Sequence, residues 1–257
     1  MRNLVVMVSI GVRPWATSTA ATFERYCKNI GADFLVQTTL PSQEQFPLPP
    51  LADSPGRKNK ASYASKTYFA YEALARYNYD RVLVVDDTCV VWPKAENIFN
   101  LVPFGSLGYT ISSSRHAETS FASIVDFCTK QRIDVPTYRA ALYMNSGVIL
   151  YDRTFQNKIS SNEIINASEL LYSRYPHQTL LFFLVLKNRI RATKIDKSWN
   201  IVPKVDVYDD ERQSLRCLNK FIDFDARDWN ILHLTGGSFN HRHEIAESLA
   251  RHVLKVC

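Results

Sequence analysis

Two adjacent acids at the end of an apolar run are the residues of this chain whose types and placement most directly suggest chemistry. Val82-Leu83-Val84-Val85 leads straight into Asp86-Asp87-Thr88. Like charges at a strand terminus repel one another, and ligand sites of α/β sheets lie at the carboxyl ends of strands. A divalent cation held by carboxylate oxygens removes that repulsion and neutralises a diphosphate. The competing reading makes Asp86 or Asp87 the cap of a turn. Alternation along an extended chain puts Asp86 and Thr88 on one face and Asp87 on the other, so a metal site needs a further ligand. His233, within Ile231-Leu232-His233-Leu234-Thr235-Gly236-Gly237, is the candidate, although a histidine between apolar residues is more often a satisfied core residue. Gly236 and Gly237 permit close backbone approach to a phosphate.

Two other polar groups interrupt apolar sequence. Asn145-Ser146-Gly147 precedes the run Val148-Ile149-Leu150-Tyr151, and it reads either as a hydroxyl-binding segment or as a β-bulge built on Gly147. His177-Gln178 follows Pro176 at an expected helix start, where side chains and backbone N–H groups can meet a ligand.

The elements that must position these residues read as an alternating α/β chain. Residues 4–10 form a continuous apolar strand ending at Gly11. A helix capped by Thr17 or Ser18 follows, stops at Gly31 and leads to a strand over 33–37, a β-α-β opening. Five prolines between residues 41 and 56 read as a long surface loop. A helix over 62–78 then feeds the strand 81–85, and a further strand covers 89–92. Later strands are expected over 106–111, 148–152, 195–202 and 231–234, with helices over 120–130, 161–172, 177–187 and 244–256.

Length and composition bound what this arrangement can be. At 257 residues, with 46% apolar, 22% charged and 12% aromatic residues, the chain is in the globular range and one domain is favoured. Five scattered cysteines without a CxxC pair argue against a disulfide framework or a structural zinc site and suit a reducing compartment. The apolar start is too short for a signal-peptide core and no stretch approaches a membrane span, so a soluble, cytoplasmic protein is expected. The formal charge of +6 is spread along the chain, densest at 57–60 and 187–197, and suits an anionic small ligand, weak contact with acidic surfaces or no charged partner at all; without a basic-aromatic module, nucleic acid is disfavoured.

Taken in order, these segments resemble the GT-A fold glycosyltransferases, a Rossmann-like mixed sheet flanked by helices. In particular they resemble the family-8 type, to which glycogenin and the bacterial lipopolysaccharide galactosyl- and glucosyltransferases belong. Ser65-Lys66-Thr67 and the stretch 79–88 look like that family's helix, "DRVLYLD" strand and DxD motif. Residues 143–150 look like its "FNSGVML", 177–181 occupy the place of "DQxxLN", 198–203 that of the "WN" segment, and 231–237 look like "IIHFxG". The economy of length is similar to that of small glycosyltransferase domains encoded by large algal viruses.

The resemblance implies a UDP-sugar donor, with galactose or glucose as the hexose, and a glycan or glycoprotein acceptor. Residues 1–92 would bind the donor and 93–257 the acceptor, within one GT-A domain. Ser9, Ile10, Gly11 and Arg13 would line base and ribose, and Lys66, Asp86, Asp87, Thr88, Ser146, Gly236 and Gly237 would meet the rest of the donor. Mn2+ or Mg2+ would be held by Asp86, Asp87 and His233. Asn145, His177 and Gln178 would act at the transferred sugar, with retention of configuration. Three positions depart from the family: Thr88 stands for the second acid of DxD, His177 for the aspartate of "DQ", and Phe239 for a lysine, leaving His241, Arg242 or Arg13 to meet the phosphates. Should transfer instead invert, Asp126, Glu118 and Asp152 are the nominees for a base. The departures keep a catalytically degenerate binding module as the alternative. A nucleotidyltransferase is less supported, because no glycine-rich, lysine-bearing signature follows Ile10.

Overall fold

Alternation lets one strand serve two cores. In β3 (Arg81–Asp86) Val82 and Val84 join the cluster on one side of the sheet and Leu83 and Val85 the cluster on the other. β1 (Asn3–Val8) does the same, with Leu4, Val6 and Val8 on the first side and Val5 and Met7 on the second. Strands covered on both faces have no solvent-facing positions for polar residues, which is why both read as unbroken apolar runs.

The computed structural model describes residues 1–11, 13–42, 44, 60–202, 229–234 and 242–257, with the backbone alone at 60–64 and 242. Most of the proline-rich segment 41–56, together with Cys217, Gly236, Gly237, Phe239 and His241, lies outside the described residues. The central sheet runs β2 (Asp33–Gln37), β1, β3, β6 (Met144–Asp152), β5 (Leu107–Ile111), β7 (Ala192–Lys194). β2, β1 and β3 are parallel, β6 is antiparallel to both β3 and β5, and β7 is parallel to β5. The carboxyl ends of β1, β3, β5 and β7 therefore share one edge with the start of β6. Because β3 pairs directly with β6, one sheet crosses residue 92 and the fold is a single mixed α/β domain. A second sheet pairs β4 (Cys89–Val91) with β8 (Ile231–His233).

α1 (Pro14–Ile30) covers the second side through Phe23, Tyr26 and Cys27. It begins ahead of the expected caps at Thr17 and Ser18, because Pro14 in the first turn presets the helical φ. Gly31, at φ 68°, ends it in the left-handed conformation. α2 (Lys60–Ala75), α3 (Ser114–Gln131) and α6 (Pro176–Lys187) lie on the first side. Nine of the 12 residues of α6 are buried, so it is an internal helix with no solvent face.

α4 (Arg153–Lys158) and α5 (Ser161–Asn166) are short. The helix expected over 161–172 breaks at Ala167 into α5 and a 3-10 turn, Ser168–Tyr172. The strand expected over 195–202 is instead a 3-10 turn at Lys197–Asn200, with β7 just before it. α7 (Arg242–Val256) packs Ile245, Leu249 and Val253 with Val90, Trp229 and Leu232. Cys27, Cys89, Cys128 and Cys257 are thiols outside any disulfide. Among the described residues no helix is long and apolar enough to cross a membrane.

Candidate active site

Asp86 ends β3, and the chain turns at once through Asp87 and Thr88 into β4. That turn separates the two acids. Asp86 faces α2, where the Lys66 ammonium pairs with its Oδ1. Asp87 faces the other way: its Oδ2 accepts from Ser9 Oγ and from Arg13 Nη1, both at 3.0 Å, and its backbone carbonyl accepts from Thr19 Oγ1 at 2.9 Å. Asp87, expected as a metal ligand beside Asp86, is instead a buried tie between the end of β1 and the start of α1. Its charge is already matched by a guanidinium.

The pairing of β8 with β4 sets Cys89 opposite His233, and Leu234 N–H donates to the Thr88 carbonyl at 3.1 Å. This register carries His233 to Asp86. Its Nε2 stands 3.2 Å from Asp86 Oδ2, close enough for an ion pair but off the line of a hydrogen bond, and is otherwise without a partner among the described residues. Nδ1 lies 3.0 Å from Asn200 Oδ1, while Asn200 Nδ2 donates to Thr110 Oγ1 at 3.0 Å. These two contacts hold the imidazole in place with Nε2 turned to Asp86. Asn200 was not singled out in the sequence beyond its place in the "WN" segment, yet it fixes the ring.

Gly147 completes this arrangement. A Cβ added there would lie 1.9 Å from His233 Cε1, so the imidazole occupies the space that any other residue would fill. The β-bulge reading of Asn145-Ser146-Gly147 has its counterpart in the structure. The β5–β6 register shifts between the Tyr109 and Ile111 pairings, leaving Asn145 to Gly147 as a bulge, and Asn145 Oδ1 accepts from Gly147 N–H at 3.0 Å. The bulge sits at the same sheet edge as Asp86, and Asn145 and Ser146 are partly exposed there.

Burial alone would raise the Asp86 carboxyl, but the Lys66 charge beside it, joined by His233 when that ring turns a proton toward it, holds the group well below the ordinary carboxylate range. It is ionised at neutral pH. A carboxylate oxygen and an imidazole nitrogen 3.2 Å apart attract only when a proton or a cation lies with them. The distance is near the ~3.0 Å edge of an octahedron with ~2.1 Å bonds, so a carboxylate oxygen and an imidazole nitrogen here fit two neighbouring positions of a divalent cation. Among the described residues, no group of three or more His, Cys, Asp or Glu side chains is arranged to hold a metal.

The expected sugar-contacting pair at the start of α6 divides. His177 is buried, and its Nε2 is 2.8 Å from Thr67 Oγ1. Burial, aided by the nearby Lys66 charge, pushes its imidazole down to about 3, so the ring is neutral. His177 is therefore a buried residue of the first turn of α6, an apolar helix that takes that turn inside with it. Gln178 is partly exposed and its Nε2 donates to the Met144 carbonyl at 3.0 Å, joining α6 to the bulge.

A cavity of about 580 Å³ opens where β1 and β2 end, lined by Ser9, Gly11, Arg13, Thr17, Val36 and Thr38 among others. Gly11 holds φ 91° with nothing near a would-be Cβ, which keeps the floor of this cavity open. Arg13 also donates from Nε to the Ile10 carbonyl at 3.0 Å, so the cavity wall and the Asp87 tie share one guanidinium. Ile10 itself packs into the core. Of the nominated bases, Asp152 is buried as the cap of α4, accepting from Thr154 N–H at 2.9 Å, and Asp126 pairs with Lys130 at 2.7 Å on the outside of α3. Glu118 is exposed on the same helix.

No family model and no curated protein matches this chain. Solved structures do. A glycosyltransferase involved in the glycosylation of the major capsid of PBCV-1 is similar over 96% of this chain and 100% of its own, with a TM-score of 0.59 and 14% identity. The bifunctional glycosyltransferase WbbM matches 99% of this chain and 51% of its own, with a TM-score of 0.54 and 14% identity. The glycosyltransferase GlyE of Streptococcus pneumoniae TIGR4 matches 99% and 63%, with a TM-score of 0.51 and 13% identity. The fold is the GT-A fold of glycosyltransferases.

Proposed function

We propose, from the premise of a GT-A fold, that this chain transfers a hexose from a UDP-linked donor to a glycan or glycoprotein acceptor with retention of configuration. The observation that carries the reading is the meeting of Asp86, Lys66 and His233 at one strand end, beside a cavity walled by Ser9, Gly11 and Arg13. That cavity, within residues 1–92, would take base and ribose; the bulge at Asn145 and Ser146, within 93–257, would meet sugar and acceptor hydroxyls.

Asp86 and His233 would hold Mn2+ or Mg2+, with Thr88, water and diphosphate oxygens completing the shell. The bound ion would supply Lewis-acid stabilisation of the diphosphate leaving group. Lys66 would add a second positive charge at the same place, and Asn200 keeps the His233 nitrogen turned to it. Gln178 holds the bulge against α6, so that the hydroxyl-binding groups are on a fixed frame.

A ligand that binds only the folded state raises its melting temperature. UDP with Mn2+ should raise the Tm of the wild type, and Asp86→Ala should abolish both this shift and transfer while remaining folded. No shift with any common nucleoside diphosphate at millimolar concentration would overturn the reading. A binding module is the second reading, favoured by Thr88 in place of an acid and by the burial of His177. It predicts the nucleotide shift without transfer or donor hydrolysis across a panel of sugar nucleotides. The anomeric configuration of the first product, read by NMR, tests retention.

A further inference from the structure

A second cavity, of about 750 Å³, lies between the segment 132–139 and the end of α6. Arg132, Arg139, Arg189 and Arg191 line it, all exposed, and none of the four pairs with a carboxylate among the described residues. Elsewhere Arg13 pairs with Asp87, Arg76 with Glu72, Arg153 with Asp80 and Arg251 with Glu247, while Arg25 and Arg81 bond backbone carbonyls, so what distinguishes the cavity is the gathering of four such groups on one wall. Lys187 also lines the cavity but is matched by Glu163 at 3.2 Å, and Asp134 is its one acid. Leu186 and Ile190 give it an apolar floor.

Backbone conformation marks the same residues. Among the described residues only Asn78, Arg132 and Arg189 combine a side chain with positive φ, at 57°, 55° and 47°. Arg132 closes α3 and Arg189 follows α6, positions where glycine is the unstrained choice. Two arginines thus stand in glycine's conformation on the wall of one cavity, where the fold would be better served without them.

The cavity is remote from Asp86. Arg189 to Arg191 immediately precede β7, and the pairings of β7, β5, β6 and β3 set Ala192 about level with Val82. Three strands across and four residues back along the strand is on the order of 20 Å.

We propose that this cavity binds a ligand carrying phosphate groups, gripped by the four arginines, at a site separate from the one around Asp86. Guanidinium forks match phosphate oxygens two at a time, and four of them against one carboxylate suit a multiply charged anion. The apolar floor suits a ligand whose phosphate is attached to a less polar body, and two sources share this chemistry: a soluble phosphorylated molecule and an anionic lipid head group.

The double variant R132G/R189G tests this without confusing loss of binding with loss of fold, since glycine relieves both left-handed positions. Its Tm should equal or exceed that of the wild type. Sodium pyrophosphate titrated by calorimetry, and sedimentation with phosphatidylglycerol vesicles against phosphatidylcholine vesicles, are compared for the two proteins. Each lost arginine should weaken the anion by about tenfold. A pyrophosphate site that disappears in the variant, with vesicles ignored by both proteins, identifies a soluble phosphate ligand. Phosphatidylglycerol binding confined to the wild type identifies a head group. Identical pyrophosphate isotherms together with identical vesicle binding overturn the proposal. Pyrophosphate bound near Lys66 is common to both proteins and cancels, so the outcome does not depend on the reading of that site.

Discussion

The contact between Gly147 and His233 makes a quantitative prediction about two residues 86 positions apart in the chain. An alanine Cβ at position 147 would lie 1.9 Å from Cε1 and 2.2 Å from Nδ1 of the buried imidazole. Ordinary carbon contacts are about 3.5–4.0 Å, so the ring must retreat by about 1.5–2 Å. A shift of that size breaks the 3.0 Å bond to Asn200 and carries Nε2 away from Asp86. Overpacking costs about 1–3 kcal/mol and a buried polar group left unmatched a further ~1–3 kcal/mol, so Gly147→Ala should lose about 2–6 kcal/mol.

With the ring removed by His233→Ala, the added methyl fills the vacated space and Gly147→Ala should cost less than about 1 kcal/mol. Urea unfolding of the wild type, both single variants and the double variant should therefore give a coupling of at least about 1 kcal/mol and up to about 6 kcal/mol. Additivity within about 0.5 kcal/mol would show that glycine is needed there for some reason other than the imidazole, and the site as built would fail with it.

His177 predicts a pH effect. Its ring resists protonation down to about 3 when folded, while the unfolded chain takes the proton near pH ~6.5. Between those values the unfolded state holds more protons, so stability falls as pH drops below the unfolded value. From pH 7 to pH 5 this amounts to about 2 kcal/mol, a loss that His177→Asn should lack in paired urea titrations; equal losses in both proteins would refute it. The opposed acids predict a split in ligand dependence. Asp87→Asn should lower stability by about 1–2 kcal/mol through the weakened tie to Arg13, yet keep the Mn2+-dependent part of the UDP melting shift. Loss of that metal-dependent part in Asp87→Asn would return Asp87 to the metal site.

How far the site could be read in advance depended on whether the decisive contact was local. Asp86 and Asp87 share a strand end, so alternation sufficed to predict their separation, and the fold adds only the partners on each side: Lys66 for one, Ser9 and Arg13 for the other. The apolar runs of β1 and β3 were equally plain, because burial on both faces leaves a continuous signature. His177 misled for the converse reason. A histidine after Pro176 at a helix start signals an accessible terminus, but the remainder of α6 is Thr179 to Leu186 without a polar face, and a helix that is wholly internal brings its first turn inside with it. Asn200 and Gly147 carried no local signal of their roles, since one orients and the other admits a ring that arrives from β8. What the sequence does hold is the conflict that points to them. Asn200 is a buried amide beside the core residue Trp199, and Gly147 lies within β6 just ahead of four fully buried residues. Neither serves the local packing, and each becomes intelligible once His233 requires a hydrogen-bond partner on one side and an absent side chain on the other.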